Sequence, residues 1–137
     1  MRLWHKDLIS VLPRQQLLGQ WRECCAIAKE ISIKGTPNHI LVNKIMDYSE
    51  FEFSTYVHLI YMEMNKRGYN CDLNKYLKWS TMSGVLNWTG EGIFKNWHTE
   101  RYLRQCLYNL QEKYDCGGIT EEEWNLIYNK FKEQIYD

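Results

Sequence analysis

An all-α fold, a single compact domain of three to four main helices with long connecting loops, is predicted by three features of this chain. Four stretches repeat apolar residues at helical spacing, and each opens on a proline or a capping hydroxyl. No segment alternates apolar and polar residues in the way of a half-buried strand.

Residues 1–12 are short, mixed and predicted to be extended, with Leu8, Ile9 and Leu12 available to the core. Pro13, tolerated in a first helical turn, then opens a helix to about Ile31. At about 100° per residue, Leu17, Leu18, Trp21, Cys24, Cys25 and Ala28 fall in one arc. Gln15, Gly19, Arg22, Glu23 and Ala26 fall on the other side. Within residues 32–47, Gly35-Thr36-Pro37-Asn38 is a turn by composition, and His39 with Ile40-Leu41-Val42 is assigned to a loop with a short helical turn.

The second helix is the plainest. Ser49 with Glu52 three residues on makes a capping box, and Phe53, Val57, Ile60 and Met64 keep helical spacing. Lys66-Arg67-Gly68 then supplies cations for the last turn and a glycine stop. His58 on this helix reads as a packed histidine. A short helix is expected over Asp72 to Trp79. Ser80 to Trp97 is the longest irregular segment, with three glycines and the aromatics Trp88, Phe94 and Trp97. A loop of that length in a small domain usually serves a purpose, such as covering a site or stacking on unpaired bases. Thr99 opens a third helix through Leu103, Cys106, Leu107 and Leu110 to Tyr114, stopped by Gly117-Gly118. Thr120 and Glu123 make a second capping box for a fourth helix carrying Trp124, Ile127, Tyr128, Phe131 and Ile135.

With 137 residues, 45% hydrophobic and 15% aromatic, the chain is expected to bury one core as one domain, 1–137. No run approaches the roughly 18–20 apolar residues of a membrane span. Arg2, His5, Lys6 and Asp7 exclude an apolar signal core at the start, so a soluble, cytoplasmic protein with no membrane partner is expected. The five cysteines show no CxxC spacing and are read as reduced, and the four histidines lie too far apart for a local metal motif. No metal and no other cofactor is expected.

The net charge of zero conceals an asymmetry. Residues 1–46 carry Arg2, Lys6, Arg14, Arg22, Lys29, Lys34 and Lys44 against Asp7, Glu23 and Glu30, a local balance of +4. Residues 112–137 carry three basic and seven acidic side chains, a balance of −4. The basic end offers a face to phosphates. On the first helix, Arg22 and Glu23 flank a strip formed by Gly19 and Ala26, leaving a shallow notch with a cation on one wall and a carboxylate on the other. Glycine inside a helix costs about 0.5–1 kcal/mol relative to alanine, which close approach of a ligand or of another backbone would offset. The plainer alternative is a packed neighbouring helix at Gly19 and a solvated ion pair.

Met1-Arg2-Leu3-Trp4-His5, Leu12-Pro13-Arg14-Gln15-Gln16-Leu17-Leu18-Gly19-Gln20 and Arg22-Glu23-Cys24 resemble the pyrimidine dimer DNA glycosylase family, the bacteriophage endonuclease V-like enzymes, in a bacterial branch. The resemblance continues at Glu63-Met64-Asn65-Lys66-Arg67-Gly68-Tyr69 and, more weakly, from His98 to Tyr114. It implies a bifunctional enzyme that removes the 5′ base of a cyclobutane pyrimidine dimer and cuts the backbone by β-elimination, acting as a monomer on double-stranded DNA with a damaged or abasic site. The implied nucleophile is the α-amine of Met1, retained because Arg2 is too bulky for methionine removal. Glu23 is the implied acid/base, and Arg2, Arg14, Gln15 and Arg22 are the implied DNA contacts. Gly19, His39 and His98 are marked as lining the site, with plain structural roles the alternative for the two histidines. The chain departs from the family at Gln16, at Ala26 and in its acidic C-terminal segment. An α-amine suits the chemistry, since its ordinary pKa near 8, against about 10.4 for lysine, leaves far more free base at neutral pH. The alternative reading is a non-catalytic helical module that binds nucleic acid or protein, which would give no covalent product with DNA.

Overall fold

The computed structural model describes residues 1–80 and 91–135. Five α-helices occur among them: α1 (Arg14–Lys34), α2 (Glu50–Lys66), α3 (Asn74–Leu77), α4 (Glu100–Asp115) and α5 (Glu121–Lys130). Short 3-10 helices cover Lys6–Val11 and Asn43–Asp47, and no strand is found among the described residues. α1 packs on α2 and α3, the 6–11 turn sits against α2 and α5, and α4 meets α5, partly through the stacked rings of Tyr114 and Trp124.

The element boundaries follow their caps. Pro13 brings no side-chain cap to α1, and the helix runs one turn past the expected Ile31 to Lys34, where Gly35 closes it with φ of 79°. That backbone conformation costs glycine nothing. Both capping boxes form, at Ser49 and at Thr120, and the Thr99 side chain accepts from the Tyr102 amide to start α4. The extended reading of 1–12 holds only for residues 1–5, because 6–11 wind into a 3-10 turn whose exit carbonyls are gathered by Arg67. Its guanidinium donates to Leu12 O at 2.7 Å and to Ile9 O and Ser10 O at 3.3 Å, while Nε pairs with Glu63 at 2.8 Å. The short helix is only α3, narrower than Asp72 to Trp79. α5 stops at Lys130, so Phe131 and Ile135 reach the core from beyond its end. Trp88 and most of the long irregular segment lie outside the described residues.

One core collects Leu3, Leu8, Leu12, Leu17, Tyr56, Ile60, Leu107, Leu110 and Ile127, all essentially inaccessible to water. Notably, the N-terminal residues Leu3, Trp4 and His5 lie within this core rather than on it. The buried face of α1 is Leu17, Gln20, Trp21, Cys24, Ile27 and Ala28, with Leu18 and Cys25 only half-buried. Compared with the apolar arc read from sequence, that face is turned toward Gln20. Glu23 consequently sits at its edge, half-buried, while Arg22 is exposed. All five cysteines are free thiols.

Candidate active site

The extended segment 2–4 is held by side chains, since it pairs with no strand. Gln20 of α1 accepts from Trp4 N through Oε1 at 2.7 Å and donates through Nε2 to Arg2 O at 2.9 Å. Tyr102 of α4 donates its hydroxyl to Leu3 O at 2.6 Å, and Tyr56 of α2 donates to Trp4 O, also at 2.6 Å. Three helices thereby each contribute a polar group to three consecutive residues. Buried backbone groups left without partners are costly, so this threading requires those side chains. Burial pushes the hydroxyls of Tyr56 and Tyr102 well above the usual tyrosine range, which keeps both as donors.

The same Gln20 Nε2 lies 3.3 Å from Glu23 Oε2. One buried amide therefore joins the N-terminal segment to the carboxylate. Met1 is one residue upstream, about 3.8 Å of chain, and is 45% exposed. Met1, Arg2, Gln15, Gly19 and Glu23 line one cleft of about 350 Å³, together with Trp4, Gln16, Gln20, Leu41 from the loop after α1, and Asn109 and Lys113 from α4. Two larger hollows, of about 730 and 390 Å³, lie against α2 on other sides of the molecule and contain none of these residues. Gln16 Oε1 is buried in the cleft wall with no partner among the described residues, an unmet acceptor.

Among the described residues no helix packs against Gly19. Apart from its own helix backbone, an added Cβ would meet, among the described residues and within 4 Å, only Arg22 Nη2 at 3.8 Å, so the open space at Gly19 is cleft. The arginines separate. Arg2 lines the cleft, yet its guanidinium packs over Trp4 and lies 4.0 Å from Cys106 Sγ. Arg22 folds beside Gly19 at the rim, outside the cleft lining. Arg14 is also outside it, with its guanidinium over Tyr69 and its amide donating to Glu123 Oε2 at 2.8 Å.

Neither histidine marked as lining lies in the cleft. His39 is in the loop after α1, where its Nδ1 accepts from Leu41 N at 3.2 Å. His98 is buried behind the threaded segment, its Nδ1 accepting from Lys6 N at 3.0 Å and its ring 5.0 Å from the stacked ring of His5. Burial, with smaller contributions from His5 and Lys6, pushes the His98 pKa down to about 2, so it is neutral. Gln20, Tyr56, Asn109 and Lys113 were not marked by the sequence reading. Only Gln20 carried a signal: on the helical wheel it falls between Cys24 and Ile27, a polar group inside the apolar face.

The family model for pyrimidine dimer DNA glycosylases matches residues 1–77, more than half of the chain and including Met1, Gln20 and Glu23. The chain belongs to that family of DNA repair glycosylases, which makes DNA with pyrimidine dimers the substrate at the level of the family. The α4 wall of the cleft, with Asn109 and Lys113, lies beyond the matched region. Comparison with curated proteins and with solved structures returns no match. No helix among the described residues is long and apolar enough to cross a membrane.

Proposed function

We propose that the protein is a DNA glycosylase with AP-lyase activity, in which the Met1 α-amine is the nucleophile and Glu23 the acid/base. The observation carrying this reading is the shared cleft of Met1 and Glu23, with Gln20 hydrogen-bonded to both sides of the junction. The amine nitrogen attacks C1′ of the damaged nucleotide, and the C1′–N bond breaks with its electron pair leaving on the base. Loss of the amine proton and opening of the sugar ring give an iminium, which acidifies the hydrogen on C2′. Glu23 takes that proton, the C2′–H electrons form the new double bond, and the 3′ phosphate departs. Hydrolysis of the iminium then frees the amine.

Binding is distributed around the cleft. Lys113 and Arg2 line it, while Arg22 and Arg14 lie along α1 outside it. These cations suit contacts to phosphates on either side of an extruded nucleotide, and Gln15 and Gln16 offer hydrogen bonds between them. The protein acts as a monomer on duplex DNA.

Borohydride trapping tests the reading on duplexes that contain either a pyrimidine dimer or an abasic site. A covalent adduct is expected, lost after selective acetylation of the N-terminus. Glu23→Gln should still form the adduct while strand cleavage falls by about 10²–10⁴, the usual contribution of a general base. Absence of an adduct with both substrates, accompanied by salt-sensitive DNA binding, would favour the non-catalytic module instead.

A further inference from the structure

Two large apolar residues are displayed at the edge of the cleft on a turn that is otherwise firmly held. Ile40 is 85% exposed and Leu41 48%, and Leu41 also lines the cleft with Met1 and Glu23. His39 O accepts from both Val42 N (3.0 Å) and Asn43 N (2.8 Å). His39 Nδ1 accepts from Leu41 N, and Asn43 Oδ1 accepts from His39 N at 2.8 Å. On either side, Pro37 and Val42 are buried, which anchors the turn in the protein body. A rigid turn that holds isoleucine and leucine out in water gains nothing for the fold.

We infer that Ile40 and Leu41 form a wedge that enters the base stack of the DNA and opens the duplex at the lesion. This rests on the proposed function above, because an amine at C1′ needs the damaged nucleotide drawn out of the helix. Apolar side chains inserted at a base step partly unstack it and stabilise the opened state. The occupant is a base stack because Leu41 lines the cleft that holds Met1, where the proposed reaction needs the damaged nucleotide, and Ile40 projects from the same turn. Lys44, exposed just beyond, adds a cation for the flanking phosphate. The side chains of His39 and Asn43 act on the wedge only by fastening its turn.

The test compares wild-type protein with Ile40→Ser, a change at an exposed position. Single-turnover trapping is measured on an abasic site in duplex and in single-stranded DNA, and 2-aminopurine fluorescence is measured beside the site in the duplex. The expected result is that the duplex-to-single-strand rate ratio falls about tenfold, equivalent to about 1.4 kcal/mol. The fluorescence rise seen with wild-type protein should be lost, and Ile40→Leu should restore both. An unchanged ratio with unchanged fluorescence overturns the wedge, as does a wild-type protein that binds the duplex without any fluorescence rise. Self-association of the wild type that Ile40→Ser abolishes would also overturn it, by making the tip a contact between copies. If the wild type traps no substrate, the proposed function fails separately, and the fluorescence still decides whether the tip opens DNA.

Discussion

Gln20 carries more of the site than any other single residue. Both of its polar atoms are committed, to Trp4 N and Arg2 O, and Nε2 also reaches Glu23. Gln20→Leu would keep the apolar volume but orphan the Trp4 amide and the Arg2 carbonyl, at about 1–3 kcal/mol for each buried group left unpaired. Urea denaturation should show that loss. Trapping on an abasic duplex should slow even at temperatures where the variant is folded, with little change in DNA affinity, since no phosphate contact is removed. A second residue-scale consequence concerns pH. Burial holds His98 and His5 below their ordinary values, so the folded protein binds fewer protons than the unfolded chain once pH drops past about 6.5. Stability is therefore full above that pH and lost as pH falls, by at most about 1.4 kcal/mol per pH unit for each histidine. Urea midpoints at pH 7.5 and 5.5 should differ accordingly, and the difference should shrink in His98→Gln.

At the scale of elements, the two capping-box glutamates each hold a distant part of the chain. Glu52 accepts from Ser49 N with one oxygen and from Phe94 N, at 2.8 Å, with the other. Glu123 accepts from Thr120 N and from Arg14 N, and so supplies the first turn of α1 with the anion that Pro13 cannot provide. Burial pushes the Glu123 carboxyl up, but these hydrogen bonds outweigh it and hold the pKa below the usual glutamate value. Glu123→Ala should cost about 1–3 kcal/mol in thermal or chemical unfolding. A capped exposed helix alone would lose only the lower figure. The contribution of Glu123 is present above the ordinary glutamate pKa and disappears as pH falls below it. The boxes themselves were legible from a spacing of three residues, because capping is local. Their second oxygens were not, since nothing near Glu123 in sequence points to Arg14.

The same division holds for the whole molecule. Helical periodicity and stop signals sufficed for an all-α fold, and Met1, Gly19 and Glu23, marked from the N-terminal stretch, line one cleft. The threading of residues 1–5 through the core was not, because it depends on Tyr56 and Tyr102, whose hydroxyls meet carbonyls far away in the chain. Nor did periodicity reveal that α4 closes the cleft with Asn109 and Lys113. That long-range arrangement brings the start of the chain to the cleft: the segment that follows Met1 is clamped by three helices, so Met1 lines the same cleft as Glu23 without a helix or strand of its own. Among the described residues, two that carry a primary amine line the cleft, Met1 and Lys113. Peptide mapping of the borohydride-trapped DNA adduct by mass spectrometry distinguishes them: the sugar-derived mass is expected on the α-nitrogen of an intact Met1, whereas an adduct on Lys113, or a blocked terminus in an active protein, would contradict the assignment.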